Sequence, residues 1–552
     1  MPIRDPNPCY SDRQMEHPVN TRTWPVAHTL WHRRRGGGGA SLGCLRRLRV
    51  PACLDLVRTL LVCTAVSFWS FGSVSLGAEP TKEQVLAAMK KATDFMMNVV
   101  SNRGGFLWHY NEDFSKQWGE IPARKSQIWV QPPGGTPDVG IMLLEAHRAT
   151  TDPEYLKSAE KVAGALIWGQ HPSGGWHYFI DFDASGIRKF YEEIASQCRG
   201  WEEFYYYYGN ATFDDDTTTS ATRFLLRLYA ATLDPQYRPP LLQALNFILR
   251  SQYPSGGWPQ RYPLRHDYPH DGHPDYTSYY TFNDDVILNN TDLLLEAYEK
   301  LGNEEHLRAA HKGMDFYLLS QLPSPQAGWA LQYDMEMKPA WARSYEPAAV
   351  CSGQTVQNIK DLERFYMITG DRRYLEPIPR AIQWLEHSFI NKDPSKRFTH
   401  ATFYEVGSNK PLYARHQVQD GKIASYRVSY EEFDLPAYGG RANIDVVALR
   451  REFETIRALT PQAARAEHRK QEEAKLKGPK VDSQTTIKLM ASMDDRGAWI
   501  TNIKFLDTDN YADNPRIEFK GIDTSTYISN MGQLINYLEK QKGADVGLLS
   551  SN

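Results

Sequence analysis

A chain of 552 residues, 41% hydrophobic and 12% aromatic, has ample length for a large buried core: one big domain with appendages. Residues 1–78 hold 10 Lys and Arg against 4 Asp and Glu, so the remainder holds 53 against 62, a formal charge of −9. That acidic body argues against nonspecific nucleic-acid binding, and any anionic ligand must be held by local Arg, Lys or a metal ion.

Residues 1–44 carry Arg33, Arg34 and Arg35 followed by four glycines and show no helical or strand period. They read as a disordered or untranslated extension. Residues 45–78 read as a secretory signal: Arg46, Arg47, Arg49 and Arg58 precede an apolar run from Thr59 to Trp69, and small residues follow to Ala78. The run is short for a membrane helix, so the mature chain is expected to begin near Glu79, exported and without a span, a retained anchor being the alternative. Cys9, Cys44, Cys53 and Cys63 fall in this stretch, which leaves Cys198 and Cys351 as two expected buried thiols.

The body, 79–541, repeats itself. Gln170-His-Pro-Ser-Gly-Gly-Trp176 recurs as Gln252-Tyr-Pro-Ser-Gly-Gly-Trp258, with a degenerate copy from Gln321 to Trp329 and an earlier member at Gly104-Gly105-Phe106. Between copies the apolar spacing predicts helix, short turn, helix: 139–149 and 152–168, 217–231 and 234–249, 285–301 and 304–318, 354–368 and 371–389. An opening helix at 82–100 and a closing one at 527–540 are placed to shut a ring. The fold class is therefore all-α dominated, an α/α toroid, with a few short strands near 398–430. A charged insertion at 445–480 reads as a solvated helix over 448–475, residues 477–526 have no clear pattern, and 542–552 read as a flexible tail.

Two acidic clusters stand just before inner helices: Phe213-Asp214-Asp215-Asp216-Thr217 and Phe282-Asn283-Asp284-Asp285. Helix capping accounts for an Asp or Asn there. Three adjacent carboxylates exceed that need, and a second cluster in the equivalent place makes a crowded negative site suited to a hard cation such as calcium. A third constellation, Trp329 to Asp334 and then Pro339 to Pro347, carries Gln332, Arg343, Tyr345 and Glu346 in a loop on the same face. A surface ion pair of Arg343 with Glu346 or Asp334 is the plain reading of that arginine.

Gly256-Gly-Trp-Pro-Gln260, Tyr262-Pro, Thr281-Phe-Asn-Asp-Asp285, Trp329 with Gln332-Tyr-Asp334, and Ala342-Arg343 with Tyr345-Glu346 resemble, in order, the motif series of the family 10 pectate lyases. Asp214 with Thr217-Thr218 and Arg223 resembles an earlier motif, and Lys410-Pro-Leu-Tyr413 with Arg415 a later one. The resemblance spans roughly residues 82–540. It implies a calcium-dependent β-elimination on polygalacturonate or a related acidic polysaccharide by a monomer. Arg343 would be the base at C5, with Asp285 in the catalytic set; Asp214, Asp215 and Asp284 would hold calcium; Arg415, Tyr345, Gln332, Asn283 and Trp258 would bind substrate. An arginine base requires surroundings that favour its neutral form.

The chain departs from the family pattern at Asp215 and Asp216, at His416 to Gly421 after Arg415, and in the loop from Arg265 to Tyr276. That loop's three histidines are spaced irregularly for zinc and read better as solvated or substrate-contacting. Two rival readings remain open: a metal-independent α/α-barrel glycoside hydrolase pairing Asp285 with Glu346 or Asp334, and a noncatalytic toroid that binds acidic glycan. The hydrolase would survive a chelator, and the binder would release no product.

Overall fold

Each hairpin turn is pinned by the same local device, an Asp or Asn whose side chain accepts the backbone N–H two residues on: Asp152 from Glu154 (2.9 Å), Asp234 from Gln236 (2.9 Å), Asn303 from Glu305 (3.0 Å) and Asp371 from Arg373 (3.0 Å). The computed structural model describes residues 79–549 except 184, 196–201, 270–272, 393–397, 420–421, 433–439, 477, 479–480 and 507–515. The extension at 1–44, the export signal at 45–78 and Cys198 lie outside the described residues.

The helices are α1 (Lys82–Phe95), α2 (Thr136–Thr150), α3 (Pro153–Trp168), α4 (Gly186–Glu193), α5 (Thr217–Thr232), α6 (Arg238–Ser251), α7 (Val286–Leu301), α8 (Glu304–Ser320), α9 (Ser352–Thr369), α10 (Ile378–His387), α11 (Val446–Arg457), α12 (Pro461–Leu476), α13 (Ser483–Ala491) and α14 (Thr524–Leu549). An inner series runs α14, α2, α5, α7, with α9 packed on α12. Arg364 of α9 bridges to Asp292 of α7 at 2.7 Å, and Gly478, just past α12, lies against Asn536 of α14, so the series closes into a toroid. The opening and closing helices do pair, with the Thr93 and Tyr527 hydroxyls 3.0 Å apart. The closing helix continues to Leu549, through most of the stretch expected to be a flexible tail. No helix of the described residues is long and apolar enough to cross a membrane.

The repeated Gln-Gly-Trp motif is structural. Each Gln side-chain amide donates both to its own turn and to the start of the next outer element: Gln170 to Gly174 O and Pro240 O, Gln252 to Gly256 O and Ala309 O, Gln321 to Ala327 O and Pro377 O. Each Trp is buried and donates its indole N–H to a carbonyl of the preceding outer helix: Trp176 to Leu166, Trp258 to Ile248, Trp329 to Tyr317, all within 2.8–2.9 Å. The first Gly adopts positive φ, +116° at Gly174 and +107° at Gly256. A Cβ there would stand 2.4 Å from Gln243 O and 2.0 Å from Lys312 O, a distance no side chain tolerates. Gly104 makes the equivalent contact with Lys161, as its place in the series predicts. A further member, Gly497-Ala498-Trp499, meets Lys91 in the same way and donates its indole N–H to Leu489 O (2.9 Å).

Short antiparallel ladders bring each motif beside the turn before the next inner helix: Ala211–Thr212 pairs with Arg261–Tyr262, and Tyr280–Thr281 with Gln332–Tyr333. The strands expected near 398–430 are present, with Pro411–Gln419 and Lys422–Ser429 forming a hairpin on Phe403–Glu405. Residues 448–475 depart from the expectation of one solvated helix. They form two helices broken at Thr460-Pro461, and Leu449, Phe453 and Ala464 are buried against the toroid. The unassigned segment 477–526 supplies α13 and the hairpin Ile500–Leu506 with Arg516–Asp523.

One buried group gives a pH signature to this packing. Glu363 of α9 is 2% exposed, its Oε1 has no partner, and burial, with Glu452 nearby, pushes its carboxyl up to about 8. A folded pKa above the unfolded one costs nothing while both states are protonated; the cost builds as pH rises from the ordinary value of 4.5 toward about 8 and is constant beyond it. Glu363→Gln is expected to raise thermal stability at pH 9 by on the order of a few kcal/mol and to leave it unchanged near pH 4.5, read as Tm at the two pH values.

Candidate functional site

The two acidic clusters form matching turns. In each, two successive non-glycine residues adopt left-handed backbone: Asp215 and Asp216 (φ 48° and 59°), and Asp284 and Asp285 (φ 53° and 55°). Asp tolerates this region better than most residues, yet each such residue costs on the order of 1 kcal/mol, so the duplicated strain has to be held by its surroundings. The turns pack side by side at the N-terminal ends of α5 and α7. Their geometry sends Asp214, Asp215 and Asp284 one way, toward Arg343, while Asp216 pairs with Arg223 at 3.2 Å.

Arg343 is fully buried at the centre of this arrangement. Its Nε donates to Glu203 (3.1 Å) and its Nη1 to Glu346 (3.2 Å), with Asp284 3.6 Å from Nη1 and Asp214 3.4 Å from Nη2. Glu346 also accepts the Arg343 backbone N–H at 3.0 Å, which closes the loop on itself. Asp214 is held from two equivalent places in successive repeats, two residues past each Trp: the Tyr178 hydroxyl donates at 2.6 Å and the Gln260 amide at 2.8 Å. The surroundings of Arg343 are thus anionic, opposite to what a neutral arginine needs. Burial alone would lower its pKa, but the carboxylates, Glu203 foremost, outweigh that and hold it well above its usual value.

Beyond the guanidinium lies a second row of acid groups. Gln131 donates its amide to both Glu120 (2.9 Å) and Asp215 (2.7 Å). Burial first, and neighbouring carboxylates second, raise Glu120, Asp215 and Asp284 well above the carboxylate range. Buried acids that repel one another are the donor chemistry a hard divalent cation satisfies. Asp214, Asp215 and Asp284 fit calcium in kind. They do not form a ready-made cage, since among the described residues no three His, Cys, Asp or Glu groups converge as metal ligands, and Arg343 fills the centre.

Of the residues read from the sequence, Arg343, Asp214, Asp215 and Asp284 come together. Asn283 donates to Asp284 (2.8 Å) and Glu346 (3.3 Å), so it orients carboxylates. Tyr345 is buried beside Arg343. Gln332 is fully buried with neither amide atom partnered in the protein, the mark of a side chain awaiting water or ligand. Three expectations need correction. Asp285 does not join Arg343: part of the residue reaches solvent, but its carboxyl is enclosed by packed neighbours beside Asp216 and Asp292, and that enclosure, then the Asp216 charge, pushes it up to about 6. Trp258 is core, its indole committed to α6, and cannot touch substrate. Arg415 stands exposed on the outer hairpin with Glu431 at 3.3 Å, outside the buried cluster. Asp334, one carboxylate of the hydrolase reading, accepts the amides of Glu336 and Lys338 and serves its own turn. In the inserted loop, His273 stacks on Trp341 at 4.3 Å.

Sequence reading missed Glu202 and Glu203, which secure Ser344 and Arg343, and Arg261, buried over the rings of Tyr178 and Tyr208 with Nε and Nη1 unpartnered. The repeat register carried a signal for the last of these: Arg261 and Gln332 each stand three residues past their Trp and pair with Thr212 and Thr281 before the acidic turns.

The comparison that bears on this geometry falls across it. Residues 192–427 match the family model described as pectic acid lyase. The region that carries the site is that of a polysaccharide lyase. The match takes in Glu203, both acidic turns, Arg343 and Arg415, though under half of the chain. No curated protein matches the lyase. Among solved structures it is similar to a family 10 polysaccharide lyase from Cellvibrio cellulosa, at 17% identity over 58% of this chain and 98% of that one, TM-score 0.38. A D-mannose isomerase (13% identity, 83% and 98% covered, TM-score 0.39) and a family 76 mannosidase from Bacteroides thetaiotaomicron VPI-5482 (10% identity, 84% and 99% covered, TM-score 0.37) are similar to a comparable degree. At these scores none of the three bears on function.

Proposed function

We propose that the lyase cleaves polygalacturonate, or a closely related uronate polymer, by β-elimination that depends on calcium, and that it does so after export. The observation that carries this reading is Arg343, wholly buried and set among Glu203, Asp214, Asp284 and Glu346 at the ends of two ring helices. A surface ion pair needs no such enclosure. An elimination site does, because charge that develops at C5 and on the adjoining carboxylate must meet fixed groups in a dry place.

Calcium held by Asp214, Asp215 and Asp284 would supply positive charge beside the C6 carboxylate and so acidify the C5 hydrogen. Arg343 is the group assigned to that hydrogen. In the resting cage it is protonated, so it can accept that hydrogen only after passing its own proton to a cage carboxylate; Glu203, whose carboxyl burial raises, stands against its Nε to receive it. A uronate that takes the place of the protonated, neutral Glu203 would bring its C5 hydrogen to the deprotonated Arg343, and the proton held on Glu203 is then available to the departing oxygen. Glu346 and Asn283 keep the loop and the Asp284 carboxylate in register during the exchange. Gln332, with both amide atoms open, suits a sugar hydroxyl.

Elimination and hydrolysis differ in whether water enters the product. Digestion of polygalacturonate in oxygen-18 water is expected to give fragments without the heavy label, each pair of ends short of one water by mass. Label incorporated at the new reducing ends would transfer the assignment to a hydrolase.

A further inference from the structure

Next to the acidic centre, on the other side of the Tyr178 backbone, lies a separate cavity of about 260 Å³. Trp168, Phe179 and Tyr207 wall it, and His177, Asn210 and Asp181 supply its polar lining. Two atoms in that lining have no protein partner: Oδ1 of Asn210, a residue only 3% exposed, and Nδ1 of His177. Both side chains are fixed by their other ends. Asn210 Nδ2 donates to Pro263 O (2.9 Å), and His177 Nε2 shares a hydrogen with the Tyr191 hydroxyl (2.8 Å). Buried polar atoms left open in a cavity need water or a ligand.

The neighbouring repeat shows that the cavity is not a by-product of the fold. One unit on, Tyr253 takes the place of His171 and Tyr279 the place of Asn210. There the Tyr253 ring packs on Tyr280 at 4.7 Å and its hydroxyl donates to Ser278 O at 2.6 Å, so the equivalent space is filled. In the first unit, smaller residues leave it open.

We propose that this cavity binds one uncharged sugar residue of the polysaccharide, a neutral or esterified unit adjoining the acidic stretch acted on at Arg343. The proposal rests on the reading that the chain acts on such polymers. The half-exposed Trp168 offers a ring face to pyranose C–H bonds, and Asn210 with His177 offers a pair of hydrogen-bonding atoms to hydroxyls. Asp181 and Asp183 line the cavity and no Lys or Arg is among its described lining residues, so a free uronate is disfavoured. Burial also holds His177 well below its usual pKa, which keeps the ring neutral.

The test is saturation-transfer NMR with three neutral probes, methyl galactoside, methyl xyloside and methyl rhamnoside. At least one should bind in the millimolar range to the unaltered protein, as suits a single sugar ring. His171→Tyr, which copies the filled repeat, and Trp168→Ala, at an exposed ring, should each weaken binding about 10-fold or more with Tm unchanged. Arg343→Lys should retain it while losing cleavage, which separates failure of this proposal from failure of the lyase reading. Absence of transfer with all three probes, or equal transfer in the unaltered protein and both cavity variants, overturns the proposal.

Discussion

Replacing Arg343 with Lys is expected to lower kcat by about 10³-fold or more while the protein still folds. The guanidinium meets four carboxylates through three nitrogens, Nε on Glu203, Nη1 on Glu346 and Asp284, Nη2 on Asp214. A lysine ammonium is a single point on a flexible stem and cannot span that fork, although it keeps the positive charge among the acids. Stability should fall by roughly 2–4 kcal/mol, because carboxylates that lose their partner remain buried. Initial rates of unsaturated-product release and a denaturant melt would read the two effects. Activity within 10-fold of the unaltered enzyme would show that Arg343 organises the loop and does not touch the reaction.

Trp258→Ala is expected to cost about 3–5 kcal/mol in stability. The ring is fully buried against Gly313, and its N–H satisfies the Ile248 carbonyl near the end of α6 at 2.9 Å. Truncation leaves a cavity and removes one of two donors to that carbonyl, which keeps the Ser251 hydroxyl at 3.0 Å. The milder Trp258→Phe keeps most of the apolar volume and should lose about 1–3 kcal/mol, with KM for polygalacturonate unchanged within about 2-fold. A raised KM with an unchanged Tm would restore Trp258 to the substrate site and contradict its placement in the core.

The toroid was legible wherever local chemistry repeats. The Asp and Asn turn caps, the Gln-Gly-Trp copies and the three- and four-residue apolar spacing all report contacts made within one unit or with its neighbour. The copy at Gly497-Ala498-Trp499 escaped because Ala replaces the second glycine and no Gln opens it, while its backbone and indole contacts persist. The stretch 448–475 misled because its composition is charged, whereas the few apolar residues it has, Leu449, Phe453 and Ala464, are the ones the fold buries.

The site divides along the same line. Arg343, Asp214 and Asp284 could be read because each belongs to a compact motif. Glu203 meets Arg343 across 140 residues of chain and sits in an aromatic run with no periodic pattern, so nothing local announced it. The choice between Asp284 and Asp285 depended on two successive left-handed residues, a backbone detail that adjacent identical side chains cannot reveal.

The central claim is that a buried arginine and two acidic turns act with calcium on a uronate ring. Ultraviolet absorbance of polygalacturonate during digestion measures it most directly. With calcium present, absorbance from the 4,5-unsaturated uronate should rise steadily, stop when a chelator is added and resume when calcium is restored. A reaction that shortens the polymer with no rise in absorbance, or a rise that continues unchanged under chelator, would contradict it.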